Sequence, residues 1–249
     1  MLLANSSCLE RRWMDFPGDL RWRADGKISS GSSGTELQLA TAGDFMSDAT
    51  WAWDRHFTER VWSTEPDPLL VQLTQQLTPG TAIDLGCGPG RNAIWLATQD
   101  FRVTGVDAST IGLEQAAERA AAAGVSLNLV VADLLTYQIP RAAFDLAVVA
   151  NLHPGTQALA QILAGAAEGL RVGGHLFVVG HHVDDLGRHG PPSADLLYTE
   201  DILRRVTPAS LQVERLERVE RIHSDGSEAP DSGVLLWASR APEPADGSP

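Results

Sequence analysis

The sequence predicts an α/β fold, a doubly wound and mostly parallel seven-stranded sheet with helices on both faces and an antiparallel C-terminal hairpin. Three observations predict it. Short apolar runs alternate with stretches of helical spacing from residue 69 onward. The last two apolar runs have no helix between them, so they pair as a hairpin. A chain of 249 residues, 43% hydrophobic and 20% charged, is large enough to build one core of this size.

Each element has its own signal. Leu69, Leu70, Leu73 and Leu77 fall at helical spacing, and Pro79-Gly80 stops that helix. Residues 81–85 read as a buried strand, followed by a glycine cluster and a helix over 92–98. Residues 102–107 form the second strand. The alanine-rich segment 110–123 is helical and closed by Gly124, and 126–131 is the third strand. Residues 144–150 are the fourth. Leu159, Ile162, Leu163, Ala166 and Leu170 mark a helix ended by Gly173-Gly174, and 175–180 is the fifth strand. A short helix over 200–206 precedes the strictly alternating strand 211–219 and its partner 233–240.

Outside this unit the composition changes. Residues 1–45 carry Arg-Trp clusters at Trp13 and Trp22 and a Ser/Gly-rich stretch from Ile28 to Gly34, which together predict an extension without fold of its own. Met46 then opens a segment that looks like a natural start. The folded domain is expected over 46–241, with a frayed tail at 242–249. A net charge of -13 repels nucleic acid and anionic membranes, and no apolar stretch is long enough to span a bilayer. The first residues carry no readable secretory signal, and the two cysteines, Cys8 and Cys87, imply no disulfide framework. A cytoplasmic protein acting on a small molecule is expected. Its oligomeric state is not legible.

The chemistry is carried by the turn after the first strand, Asp84-Leu85-Gly86-Cys87-Gly88-Pro89-Gly90-Arg91-Asn92. Backbone there must approach a ligand closely. A dinucleotide fingerprint counted from Gly86 would need its third glycine at position 91, where Arg91 stands, so nicotinamide chemistry is disfavoured. The Gly-x-Gly-x-Gly spacing with a leading aspartate instead resembles the first motif of class I S-adenosylmethionine-dependent methyltransferases, whose Rossmann-like element order matches residues 46–241. Within that family, the run from Gly90 to Ala97 and the Trp62-Ser63 segment with Pro66 and Pro68 resemble the small-molecule branch that includes tellurite-resistance and thiopurine methyltransferases.

The resemblance implies a set of donor contacts. Asp84, Gly86, Cys87, Gly88, Gly90, Arg91 and Asn92 would frame the methionine part of S-adenosylmethionine. Asp107, followed by Ala108, ends the second strand and would take the ribose hydroxyls. Asp133 and Leu134 would hold the adenine, and Trp62 would cap the donor. Asn151, His153 and His181 emerge where the fourth and fifth strands end; Asn151 belongs with the donor contacts, and His153 is the first choice for a general base, with His181 second. A sulfonium methyl is already activated, so a sulfur, selenium, tellurium or oxygen acceptor needs mainly in-line placement.

Simpler readings compete. Asp107 and Asp133 alone could be helix caps, Cys87 a packing residue, and Trp51, Trp53, Phe57 and Trp62 the apolar face of an N-terminal helix. The cluster His181, His182, Asp184, Asp185 and His189 reads as a loop rather than a metal site, because adjacent strand residues face opposite ways. The alternating charges Glu214, Arg215, Glu217, Arg218, Glu220 and Arg221 read as a solvated face without function. A non-catalytic module that binds the same donor as a sensor or assembly partner is the alternative function.

Overall fold

The computed structural model describes residues 20–22, 27–30, 36–39, 48–59, 62–221 and 230–242. The seven predicted strands are β4 (Thr81–Leu85), β5 (Arg102–Asp107), β6 (Asn128–Val131), β7 (Phe144–Ala150), β8 (Leu170–His181), β9 (Leu211–Arg221) and β10 (Asp231–Arg240). They lie in the order β6-β5-β4-β7-β8-β10-β9. From β6 to β8 every pairing is parallel, and β10 runs antiparallel to both β8 and β9.

Burial on two sides explains why these strands read as continuous apolar runs. Alternate residues feed two cores. Ala82, Val103, Leu129 and Val148 face α2 (Pro68–Thr74), α3 (Arg91–Thr98) and α4 (Thr110–Ala122) through Leu70, Leu96 and Leu113. Ile83, Val106, Val130 and Val149 face α5 (Thr156–Gly169) and α6 (Glu200–Val206) through Leu159, Leu163 and Leu203. Local chemistry starts the helices. Asp67 accepts from Leu69 N at 3.0 Å with Pro68 as the first helical residue, Ser109 accepts from Gly112 N at 3.0 Å, and Thr199 accepts from Ile202 N at 3.1 Å.

Two differences have physical causes. β8 begins at Leu170, five residues before the predicted strand, and its ladder to β7 shifts register after Leu170. Gly173, at φ 80°, lets the chain bulge there instead of simply ending the helix. The second difference lies in residues 1–45, expected to lack regular structure. Three short strands occur there, β1 (Leu20–Trp22), β2 (Lys27–Ser30) and β3 (Glu36–Leu39), and β3 pairs in parallel with β6. A β6 edge otherwise left open supplies the unpaired backbone groups that hold β3, a tertiary event that Ser/Gly composition does not encode. Met46, Val61 and the tail from 243 lie outside the described residues. No helix among the described residues is long and apolar enough to cross a membrane.

One close contact tests this packing. A Cβ at Gly180 on β8 would stand 2.5 Å from the Tyr198 ring and 3.0 Å from His153. Gly180→Ala is expected to destabilise the protein by ~1–3 kcal/mol, read as a drop of several degrees in the thermal midpoint.

Candidate functional site

The chain starts its parallel sheet at β4, winds outward through β5 and β6, then returns to lay β7 beside β4. At such a reversal the connections leave in opposite directions and open a crevice beyond the strand ends. A cavity of about 620 Å³ occupies it, lined from the ends of β4 to β9.

The glycine loop forms one wall. Gly86, Gly88 and Gly90 have φ of 76°, 49° and 82°, a region that other residues enter only under strain. Gly86 N and Cys87 N donate to Val106 O at 2.8 and 3.2 Å, and Gly88 N donates to Asp107 Oδ2 at 2.8 Å. Asp107 Oδ1 accepts from Ser109 N at 2.8 Å, so each carboxylate oxygen keeps a lone pair for the cavity. Burial pushes the Asp107 carboxyl up, opposed by those amides. Asp84, only 2% exposed, is raised to about 7 by loss of water, opposed by the nearby Arg91 charge. Cys87 packs its sulfur against Gly105, and burial pushes its thiol well above the usual range.

Most predicted donor residues converge here. Gly86, Cys87, Gly88, Arg91 and Asn92 line the cavity, as do Ala108, Asp133 and Leu134. Asn92 also accepts from Asp67 N at 2.9 Å and so ties α3 to α2. Asp133 accepts from Leu135 N at 2.9 Å. Gly90 is the exception on this side. It heads α3 behind the loop, where a Cβ would meet Ala116 at 2.9 Å, so its part is packing and not contact with the cavity.

An aromatic helix, α1 (Asp48–Glu59), covers the loop. Phe57 lies 6.0 Å from Trp53 and 5.3 Å from Trp62 between ring centres, and all three line the cavity. Buried Asp54 anchors this helix. It accepts from Ser109 Oγ at 2.5 Å and from Ile111 N at 3.3 Å. Sequence reasoning found the aromatic cluster but missed Asp54, which carries no signal beyond one acid within an aromatic stretch.

The opposite wall differs from expectation. His153 does not line the cavity. Its Nδ1 contacts Leu196 O at 2.9 Å and its Nε2 accepts from His181 N at 3.3 Å, so both ring nitrogens are engaged by backbone. Burial drives its pKa to about 4. His153 is therefore a structural imidazole with no free nitrogen to serve as a base, and the first choice is corrected. His181 does line the cavity, with Nδ1 3.1 Å from Asp231 Oδ2 and 3.0 Å from Arg221 Nη2. Burial lowers its pKa, opposed by Asp231.

Arg221, read from sequence as part of a solvated face, is 5% exposed and lines the cavity. Its fork meets Asp231 through Nε to Oδ1 at 2.9 Å and Nη2 to Oδ2 at 2.7 Å, and Nη1 donates to Asn151 Oδ1 at 2.7 Å. The available signal was its place two residues after the half-buried Val219, on the same face of β9. His181, Asp185 and Asp231 bring possible metal-binding atoms within 4.8 Å of one another. Arg221 takes the Asp231 oxygens, while Asp185 accepts from Arg188 Nη2 at 2.6 Å and Ser232 N at 2.9 Å. Protein groups thus hold this cluster together.

Residues 82–174 match the family described as Methyltransferase domain. No curated protein matches the chain. Among solved structures, one from work on conversion of a disulfide bond into a thioacetal group during echinomycin biosynthesis superposes with a TM-score of 0.66 at 21% identity, covering 78% of this chain and 93% of that one. The N-methyltransferase NodS from Bradyrhizobium japonicum WM9, in complex with S-adenosyl-l-homocysteine, gives 0.60 at 18% identity, covering 79% of this chain and 100% of that one. TehB from Haemophilus influenzae gives 0.59 at 17% identity, covering 76% and 67%. These likenesses establish the fold.

The cavity fits the donor that this domain uses. A buried carboxyl at Asp84 held near neutrality gains from a cationic neighbour, and Asp107 offers two unused lone pairs beside a glycine cradle. Residues 82–174 thus form a methyltransferase domain on a Rossmann-like fold.

The histidine assignment is directly measurable. In a proton NMR titration the His153 ring should stay neutral through pH 6 and titrate near 4, far below an ordinary imidazole. A midpoint above 6 would show a solvated ring and reopen it as a base.

Proposed function

We propose that the protein transfers the methyl group of S-adenosylmethionine to a small-molecule nucleophile, with sulfur, selenium, tellurium or oxygen as the accepting atom. The observation that carries this reading is one cavity, roofed by Trp53, Phe57 and Trp62, that joins the glycine loop to His181 and Asn151. Its volume of about 620 Å³ suits a cofactor and a compact acceptor, and the net charge of -13 opposes a nucleic acid substrate.

In this reading Asp107 accepts the ribose hydroxyls, Asp84 faces the amino group, and Asp133 with Leu134 holds the adenine. Trp62 and Phe57 exclude water above the reacting atoms. S-adenosylmethionine supplies, when bound, a sulfonium methyl whose bond to sulfur breaks as the bond to the acceptor forms, the electron pair staying on S-adenosylhomocysteine. His181 Nε2 takes the proton of a hydroxyl acceptor, with Nδ1–H directed to Asp231. A thiolate or chalcogenide arrives without that proton and needs only alignment.

The direct test is transfer of label from methyl-tritiated S-adenosylmethionine to panels of thiols, phenols and inorganic chalcogenides. Labelled small-molecule product supports the reading, whereas bound donor with no product from any panel member overturns it. Asp107→Ala should weaken donor binding by ~2–4 kcal/mol in calorimetry, through lost hydrogen bonds to a charged group and a freed Gly88 amide.

The pH dependences have opposite origins but the same sign. Asp84 must be ionised to pair with an ammonium, so donor affinity should rise about tenfold from pH 6 to 8 and flatten above, and Asp84→Asn should abolish the slope. Neutral His181 is the base form, so transfer to a phenol should fall as pH drops through its lowered pKa. His181→Asn should slow phenol methylation by ~100-fold or more while leaving thiolate acceptors nearly unaffected.

A further inference from the structure

The cavity is divided in charge. Asp84, Asp107 and Asp133 stand on the side of β4, β5 and β6, where the cationic donor belongs under the reading above. Arg91, at the start of α3, and Arg221, at the end of β9, face the same space. Arg221 is matched by the forked pair with Asp231. Arg91 makes no hydrogen bond or ion pair with any described residue. Asp67 and Asp84 act on it only through space, and Arg221 opposes its charge. A guanidinium withdrawn from water beside a second cation costs energy until an anion joins it.

Asn151 completes this corner. Its Oδ1 accepts from Arg221 Nη1 at 2.7 Å, and because arginine only donates, the amide orientation is fixed with the NH2 group left for a ligand. The residue holds φ 55°, a left-handed conformation uncommon outside glycine, at the end of β7. Nearby, Leu152 and Ile162 give the cavity apolar surface. The corner therefore offers N–H donors with positive charge beside an apolar wall.

We propose that the methyl acceptor is a small organic carboxylate, whose anionic group docks on Arg91 and the Asn151 amide beside Arg221, with its nucleophilic atom towards His181. This rests on the methyl-transfer reading. A planar guanidinium matches a carboxylate with two parallel hydrogen bonds, and one negative charge is tolerated where a dianion would meet Asp84. The donor also carries a carboxylate, and the experiment separates the two bearers.

Calorimetry on protein saturated with S-adenosylhomocysteine would use two matched pairs of probes, 4-hydroxybenzoate with 4-hydroxybenzamide, and 3-mercaptopropionate with 3-mercaptopropionamide. The expected result is that at least one carboxylate binds ~10-fold or more tightly than its amide. Arg91→Met should erase that preference and Arg91→Lys should keep part of it, both read as the acid-to-amide ratio at saturating S-adenosylhomocysteine so that any change in donor affinity is measured separately. Arg91 makes no side-chain hydrogen bond or ion pair with a described residue, and an unchanged thermal midpoint of Arg91→Met verifies the fold.

Equal binding of acid and amide, or no binding of any probe at millimolar concentration, overturns the proposal. So does an Arg91→Met protein that keeps the preference while losing tenfold or more in S-adenosylhomocysteine affinity, which would give Arg91 to the carboxylate of the donor. Failure of the parent protein to bind S-adenosylhomocysteine is a separate outcome. It overturns the methyl-transfer reading itself, and the carboxylate proposal with it.

Discussion

A single carboxylate at the end of β5 holds the site in shape. Asp107 catches the Gly88 amide with one oxygen and the Ser109 amide with the other, at 2.8 Å each. The first bond pins a glycine loop whose left-handed residues would otherwise have many conformations to choose from. The second sets the start of α4, where the Ser109 hydroxyl caps Gly112 N and reaches Asp54 on α1. Loop, helix and aromatic cover are thus fixed through a chain of adjacent hydrogen bonds. Because the carboxylate is buried, each of those bonds also supports the charge that burial disfavours.

The cavity floor works by the same balance of burial against partners. Loss of water raises the Asp84 carboxyl to about 7, opposed by the nearby Arg91 charge and reinforced by Asp107. Asp231 is equally buried but meets a fork of two short bonds from Arg221. Chemically identical groups thus stand in different surroundings, one with a guanidinium in contact and the other with one at a distance. His181 stands on the boundary, between the two members of the buried pair.

The part of this arrangement legible in sequence is the part built from neighbours along the chain. The Asp84 to Gly90 turn, the acids at the ends of β5 and β6, and the apolar alternation of a doubly covered sheet are local patterns, and the structure brings those acids to one cavity. What failed was long-range. His153 looked available because nothing in the sequence shows that Leu196 O and His181 N will occupy both of its nitrogens. Arg221 looked solvated because its charge alternates with others on β9, whereas its buried partner arrives only when β10 folds back. The strands β1 to β3 were hidden for a related reason: they are short, and the open edge of β6 supplies what their composition lacks.

Arg221 and Asp231 are Cα partners where β9 ends and β10 begins, so their ion pair closes within a short span of chain. The glycine cradle, by contrast, is assembled from β4 and β5 with the helices that follow them. The two ends of the cavity are in this sense separate modules. Residues on the β9–β10 hairpin can vary during evolution or engineering without disturbing the bonds that shape the cradle, so a change of clientele can be written on two adjacent strands.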